Sequence, residues 1–378
     1  SPSRSPSRSP SRSMSVSVFF EDIPKEEKEE AIEKIRTKIA QRCTIQKREK
    51  FSQQAIRFIC YKATPNSFRV PFSFFSLVEA AETPDDDLVA IGERVVESRR
   101  AYVYPRISIT STIRLLTKET DSKGRDQDVV IQTAIEQLRR RRCTFLALHT
   151  GFGKTTSVIH LLSILRYKAV VLCHFAEVNK QWIAELGKWT DAKVQHVTSG
   201  VEMDPDADVY VIGILKAANM RMSDFAEIGV VVVDDAHVAT HTCFTDALFK
   251  FRPKYLIGLS ATPTREDGLH SLFPLFFGPK REFIIRHEVK PFQVVKVTTP
   301  FVPTDEYDYF MGKQHVNWTK LTTSLAINTD RQRLILDLVR RHPDRHIMVL
   351  ADRIVLCDAL YEALVEEGES VDRLYGDQ

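Results

Sequence analysis

From about residue 129 the chain alternates short apolar runs with helix-length amphipathic stretches. Thr144–Leu148, Ala169–Cys173, Val209–Ile214, Val230–Val233 and Tyr255–Leu259 are each four to six residues long and rich in Val, Ile and Leu. That length and composition predict strands. Runs with almost no polar interruption, such as Val230–Val233, fit strands covered on both faces. The stretches between them predict helices, one following Lys154 and another through Gln181 and Trp182. The whole predicts an α/β fold, a parallel sheet with helices on both faces. A second alternation begins near Pro291. It reads as helix Arg331–Arg341, strand His346–Leu350, helix Val355–Glu367 and strand Ser370–Leu374, a partial second domain of the same kind.

The texture before residue 129 is different. Pro24 to Gln46 is strongly charged, with Ile32, Ile35 and Ile39 at helical spacing. Phe68 to Leu77 reads as strand or buried loop, and Thr117 to Asp128, polar and containing Gly124, as a linker. Residues 1–13 are three Ser-Pro-Ser-Arg units and a final Ser, with no apolar side chain to bury; disorder is expected. The expected organisation is therefore a tail over 1–13, a small α+β accessory domain over 14–120, an α/β domain over 121–290 and a partial one over 291–378.

Composition changes this picture little. Of 378 residues, 43% are hydrophobic and 27% charged, as in ordinary globular proteins. No apolar run is long enough for a bilayer-spanning helix, so no membrane partner is expected. The six cysteines are scattered without a C-x-x-C pair, which predicts reduced thiols in an intracellular protein. Net charge is +3, but Arg4, Arg8 and Arg12 of the tail account for it. A nucleic-acid partner therefore has to be argued from a site.

The site is announced by Leu148-His149-Thr150-Gly151-Phe152-Gly153-Lys154-Thr155, between a predicted strand and a predicted helix. Gly151 and Gly153 permit backbone angles closed to other residues and let amide N–H groups approach a phosphate. The helix that follows presents its free N–H groups and positive dipole end to the same anion. Lys154 adds a full charge at the β- and γ-phosphates of ATP, and the Thr155 hydroxyl is a magnesium ligand. Leu148 stands where the general pattern has its first glycine.

About 80 residues later Val231-Val232-Val233-Asp234-Asp235-Ala236-His237 ends a buried strand in paired acids. This puts both carboxylates at the carboxyl edge of the sheet, where ligands of such folds bind. Asp234 is expected to hold magnesium and Asp235 to orient or deprotonate the attacking water. At Ser260 and Thr262, small hydroxyl side chains at the next strand end can hydrogen-bond the acidic strand and couple it, with His237, to the state of the γ-phosphate.

These segments together resemble superfamily 2 helicases: the phosphate loop looks like motif I, Asp234–His237 like motif II and Ser260–Thr262 like motif III. The run Leu259-Ser260-Ala261-Thr262-Pro263-Thr264-Arg265-Glu266-Asp267-Gly268 looks like the XPB-like branch. It is similar in particular to the poxvirus-type transcript-release helicases of large DNA viruses. Phe276-Phe277-Gly278-Pro279 and Asn328-Thr329-Asp330-Arg331 resemble the same group. The resemblance implies RecA-like domains and ATP-driven movement on DNA or RNA, in transcription or repair. It also implies contact with transcription machinery and, if the protein is viral, residence in viral factories, the nucleus or the virion. By the same likeness, Gln127 matches an adenine-reading glutamine, and Val171–Trp182 looks like motif Ia, with Trp182 itself read as core.

Two departures stand out. Asp235 replaces the family glutamate, a carboxylate shorter by one methylene, about 1.5 Å. No Gln-x-x-Gly-Arg-x-x-Arg segment follows residue 291, so the chain is expected to bind ATP well and hydrolyse it poorly. The alternatives are a double-strand DNA translocase that remodels complexes without unwinding and a nucleotide-gated binding subunit. The basic run Arg139–Arg142 reads as a helix end, where cations complement the dipole.

Overall fold

In the computed structural model, residues 16–19, 28–48, 55–64, 67–79, 81–91, 103–237, 242–264, 269–287, 293–299, 301, 307–310 and 313–375 are described. The Ser-Pro-Ser-Arg tail lies outside them, as do Arg265–Gly268 of the family-like run. The chain divides into two compact units, residues 1–289 and 290–378.

The first unit is organised by a seven-stranded, wholly parallel sheet. Its strands are β6 (Cys143–Leu148), β7 (Ala169–Cys173), β8 (Val194–Val197), β9 (Val209–Gly213), β10 (Val230–Val233), β11 (Tyr255–Ser260) and β12 (Ile284–Arg286), in the order β12-β6-β11-β10-β7-β9-β8. Every residue of β6, β7, β10 and β11 is buried, which is why these segments lack the polar alternation of a half-exposed strand. Helices Gln127–Arg141, Lys154–Leu165 and Ala176–Trp189 supply cover. Val130, Ile131, Ala134 and Leu138 of the first face the core, and Trp182 and Leu186 do so from the third. This is the RecA-like arrangement of a P-loop α/β domain.

The amino-terminal residues pack into the same unit. The amphipathic stretch forms helix Lys28–Cys43, with Ile35 and Ile39 buried. β1 (Val16–Phe19), β4 (Lys62–Thr64) and β5 (Ser67–Val70) make one small antiparallel sheet; β2 (Thr44–Arg48) and β3 (Ala55–Ile59) make a hairpin. Phe68 to Leu77 divides into β5 and the buried helix Phe74–Glu79. Ser73 ties this region to helix Leu272–Phe277, donating from N to Leu275 O and from Oγ to Phe276 O. One apolar cluster runs from Ile39 and Phe68 through to Phe145 and Phe273. Cys43, Cys60, Cys143, Cys173 and Cys357 take part in no disulfide. The basic run does end a helix: Arg140 and Arg141 pair with Glu282, and Arg142 is the left-handed cap.

The second unit holds the hairpin β13 (Tyr307–Phe310) and β14 (Lys313–Val316) and helices Trp318–Ile327, Thr329–Arg340 and Ile354–Glu366. Asn328 caps the middle helix, its side chain accepting from Arg331 N at 2.9 Å. The strands expected at His346–Leu350 and Ser370–Leu374 are not formed. A strand requires a ladder partner, and none is found for these residues among the described ones; Met348 and Leu350 stay more than 80% exposed. No described helix is long and apolar enough to cross a membrane.

Candidate nucleotide-binding site

The phosphate loop turns tightly between β6 and helix Lys154–Leu165. Gly151 and Gly153 adopt φ of +84° and +97°, where a side chain is strained. Phe152 is buried, holds the turn from beneath and stacks edge-on with His149 at 5.5 Å. Its N–H donates to His149 O at 3.2 Å, closing the loop on itself, and Thr150 is exposed at the rim. Helix geometry starts at Lys154, with Gly153 O accepting from Ser157 N at 2.9 Å. Lys154 Nζ donates to Leu148 O at 3.3 Å, so the first residue of the pattern contributes a carbonyl.

Three tethers reach this loop from outside it. Arg125 donates to Gly151 O at 2.8 Å and is itself held by Asp121. Gln127 Nε2 donates to Phe152 O at 2.7 Å, while its Oε1 accepts from Leu116 N at 3.0 Å. The Gln127 amide thus has both ends engaged within the protein and lies buried beneath the loop. Arg286 O accepts from His149 N at 3.1 Å, and the Arg286 guanidinium grips both oxygens of Asp126, at 2.7 to 3.1 Å.

That last pair has a consequence for acid stability. The Arg286 guanidinium holds the Asp126 carboxyl below its ordinary value. A carboxyl depressed in the folded state stabilises it above the unfolded-state value of about 3.9 and loses that contribution as pH falls through the folded-state value. Asp126→Asn should cost about 1–2 kcal/mol at pH 7 for this partly exposed bidentate pair. The deficit should shrink in urea melts below about pH 3.5.

β10 delivers Asp234 to the same edge of the sheet. Asp234 is 9% exposed, and burial pushes its carboxyl above the ordinary value. The Trp182 hydrogen bond opposes that rise, and the Lys154 charge is near enough to oppose it too. Asp235 follows with φ of +45°, a left-handed conformation unusual for a non-glycine residue. Its N–H donates to Asp234 Oδ1 at 2.9 Å. His237 Nδ1 lies 3.0 Å from Ser260 Oγ and 3.9 Å from the Asp235 carboxylate. Ser260 Oγ also donates to Thr262 O at 2.8 Å and accepts from Thr262 N at 3.0 Å. The three residues expected to couple the acidic tip to the next strand are thus joined by hydrogen bonds.

The donor set fits a hydrated magnesium ion beside a triphosphate. Asp234 is a buried carboxylate whose protein partners are N–H donors, with lone pairs left over for metal-bound water, and Thr155 opens the helix that starts at the loop. Spacing along the chain did not reveal Arg125, the Asp126–Arg286 clamp or the Trp182–Asp234 bond. The last two join residues 160 and 52 positions apart, and no local pattern encodes such partners.

A glycine-flexed loop that runs into a helix at Lys154 and an acid-tipped strand on the same parallel sheet match the pattern of a P-loop nucleotide-binding site. Residues 122–265 match the family described as type III restriction enzyme, res subunit. Among curated proteins, "Putative helicase 161L" of Invertebrate iridescent virus 6 is 31% identical over 236 residues, 61% of this chain and 52% of the relative. "Putative helicase 055L" of Frog virus 3 is 29% identical over 257 residues, 66% of this chain and 58% of the relative. The chain thus spans about half the length of the curated relatives it matches. The "DNA 3'-5' translocase XPB2" of Sulfurisphaera tokodaii is 24% identical over 146 residues, 39% of this chain and 33% of the relative. Among solved structures, T4 UvsW aligns over 89% of this chain and 69% of that one, at 12% identity and a TM-score of 0.45.

Proposed function

We propose that the chain is an ATP-dependent motor acting on nucleic acid. The observation that carries this reading is the position of Lys154 and Asp234 on one edge of the parallel sheet, each in the segment that follows the carboxyl end of its own strand, with only β11 between β6 and β10. Gly151, Gly153 and the helix start offer N–H groups to the phosphates, and Lys154 neutralises their charge. Thr155 and Asp234 hold magnesium, which supplies charge neutralisation for the transferring phosphoryl group. Asp235 orients the attacking water. The His237–Ser260–Thr262 chain passes the state of that end of the site to β11. The names of the relatives support nucleic acid as the track.

A second reading, a nucleotide-gated binding subunit, is favoured by Asp235, which is shorter than the usual glutamate and held at positive φ. Steady-state ATP hydrolysis with single-stranded DNA, duplex DNA and RNA as separate activators decides between them. Since no Gln-x-x-Gly-Arg-x-x-Arg segment follows residue 291, the motor reading expects slow turnover that one of the three raises at least about tenfold. Tight magnesium–ATP binding with no stimulated turnover would favour the gated subunit. A strand-displacement assay then separates unwinding from translocation alone.

A further inference from the structure

Helix Ala176–Trp189 carries Trp182, which is only 1% exposed. A buried indole N–H needs an acceptor, and this one donates to Asp234 Oδ2 at 2.6 Å. Asp234 Oδ1 accepts from Asp235 N at 2.9 Å, and Asp234 N donates to Leu172 O at 2.9 Å. Both carboxylate oxygens and the main chain behind them are therefore held. One turn nearer the helix start, on the same face by i, i+3 spacing, Asn179 is buried, and its Oδ1 has no partner within the protein among the described residues. A tryptophan kept for volume alone has no use for a carboxylate, because a main-chain carbonyl satisfies its N–H without burying a charge.

We propose that Trp182 is a positioning residue for the binding of magnesium with nucleotide: its indole N–H fixes the rotamer of the Asp234 carboxylate that would hold the ion. This rests on the assignment of Asp234 to the metal. Trp182 touches neither nucleotide nor metal; it acts through Asp234.

The test is a magnesium titration of fluorescent N-methylanthraniloyl-ADP binding to the full 378-residue chain, read beside nucleotide affinity in excess EDTA. Trp182→Phe keeps an aromatic ring and removes the donor. It should raise the magnesium concentration for half-maximal enhancement about tenfold, the scale of a lost hydrogen bond to a charged group. Affinity in EDTA should change less than about twofold. Replacement of Trp182 by 3-benzothienylalanine, which preserves the bicyclic shape and exchanges the N–H for sulfur, should give the same shift. It carries the decision if Trp182→Phe does not fold. A magnesium midpoint within about twofold of the unaltered chain overturns the proposal and leaves Trp182 as packing. Loss of affinity equally with and without magnesium overturns it as well, since that is the mark of a purely structural defect. If the unaltered chain binds no nucleotide, or Lys154→Ala binds as well as it does, the ATP assignment fails first and takes this inference with it.

Discussion

Lys154→Ala is expected to weaken ATP binding by at least about 100-fold, the scale of two tenfold steps from one lost charge-assisted contact. The chain should keep its fold. The ammonium has one hydrogen bond within the protein, a 3.3 Å contact with Leu148 O, and the lysine is half-buried at the loop rim, so its removal leaves no deep cavity. Turnover should fall further than affinity, by about 10³, because the same charge meets developing negative charge as the phosphoryl group leaves. Isothermal titration with ATP, beside a thermal melt, checks both halves. Unchanged affinity with an unchanged melt would remove the lysine from the phosphate site.

Gly153→Ala should be severely damaging, and Gly151→Ala its mild neighbour. A Cβ at Gly153 would collide with Gln127 Nε2 and come within 2.9 Å of Thr156 Oγ1. Gln127 cannot step aside freely, because its amide bridges Leu116 N and Phe152 O. The backbone there, at φ of +97°, also resists any L side chain. Strain and overpacking together should cost roughly 2–5 kcal/mol and abolish nucleotide binding. At Gly151 the backbone penalty remains, but a Cβ meets nothing within 4 Å, so the cost should be about 1–2 kcal/mol. Chemical denaturation of the two variants side by side tests the contrast. Equal losses would mean that Gln127 does not brace the loop.

The central sheet was largely legible before any coordinates. β7 and β10 coincide with their predicted runs, and β6, β9 and β11 differ by a single terminal residue, because strands buried on both faces have uninterrupted apolar sequences. β8 was not foreseen: Val194-Gln195-His196-Val197 is an edge strand whose side chains are mostly half-exposed, so its composition reads as loop. β12 is three residues long and gains its identity from pairing with β6. The opposite failure occurred at His346–Leu350, where an apolar run is present but a ladder partner is not. In the candidate site, local spacing marks the glycines, Lys154, Thr155 and Asp234 as candidates and the small hydroxyl residues as partners of the acidic strand; the structure pairs Ser260 with His237. Trp182 was readable as core, and it is core; its bond to Asp234 depends on which helix face turns toward β10, and that is decided by tertiary packing. Gln127 was assigned to adenine by resemblance, whereas the structure shows its amide occupied beneath the phosphate loop.

β11 separates the strand that bears the phosphate loop from the strand that bears the acids, and it is bonded along its length to both. The aperture between loop and acids is thereby set at two ladder spacings, about 9.6 Å. It is a dimension of the backbone, indifferent to which side chains line it. Substitutions retune what lines the gap, whereas the spacing of the strands that frame it follows from the ladder.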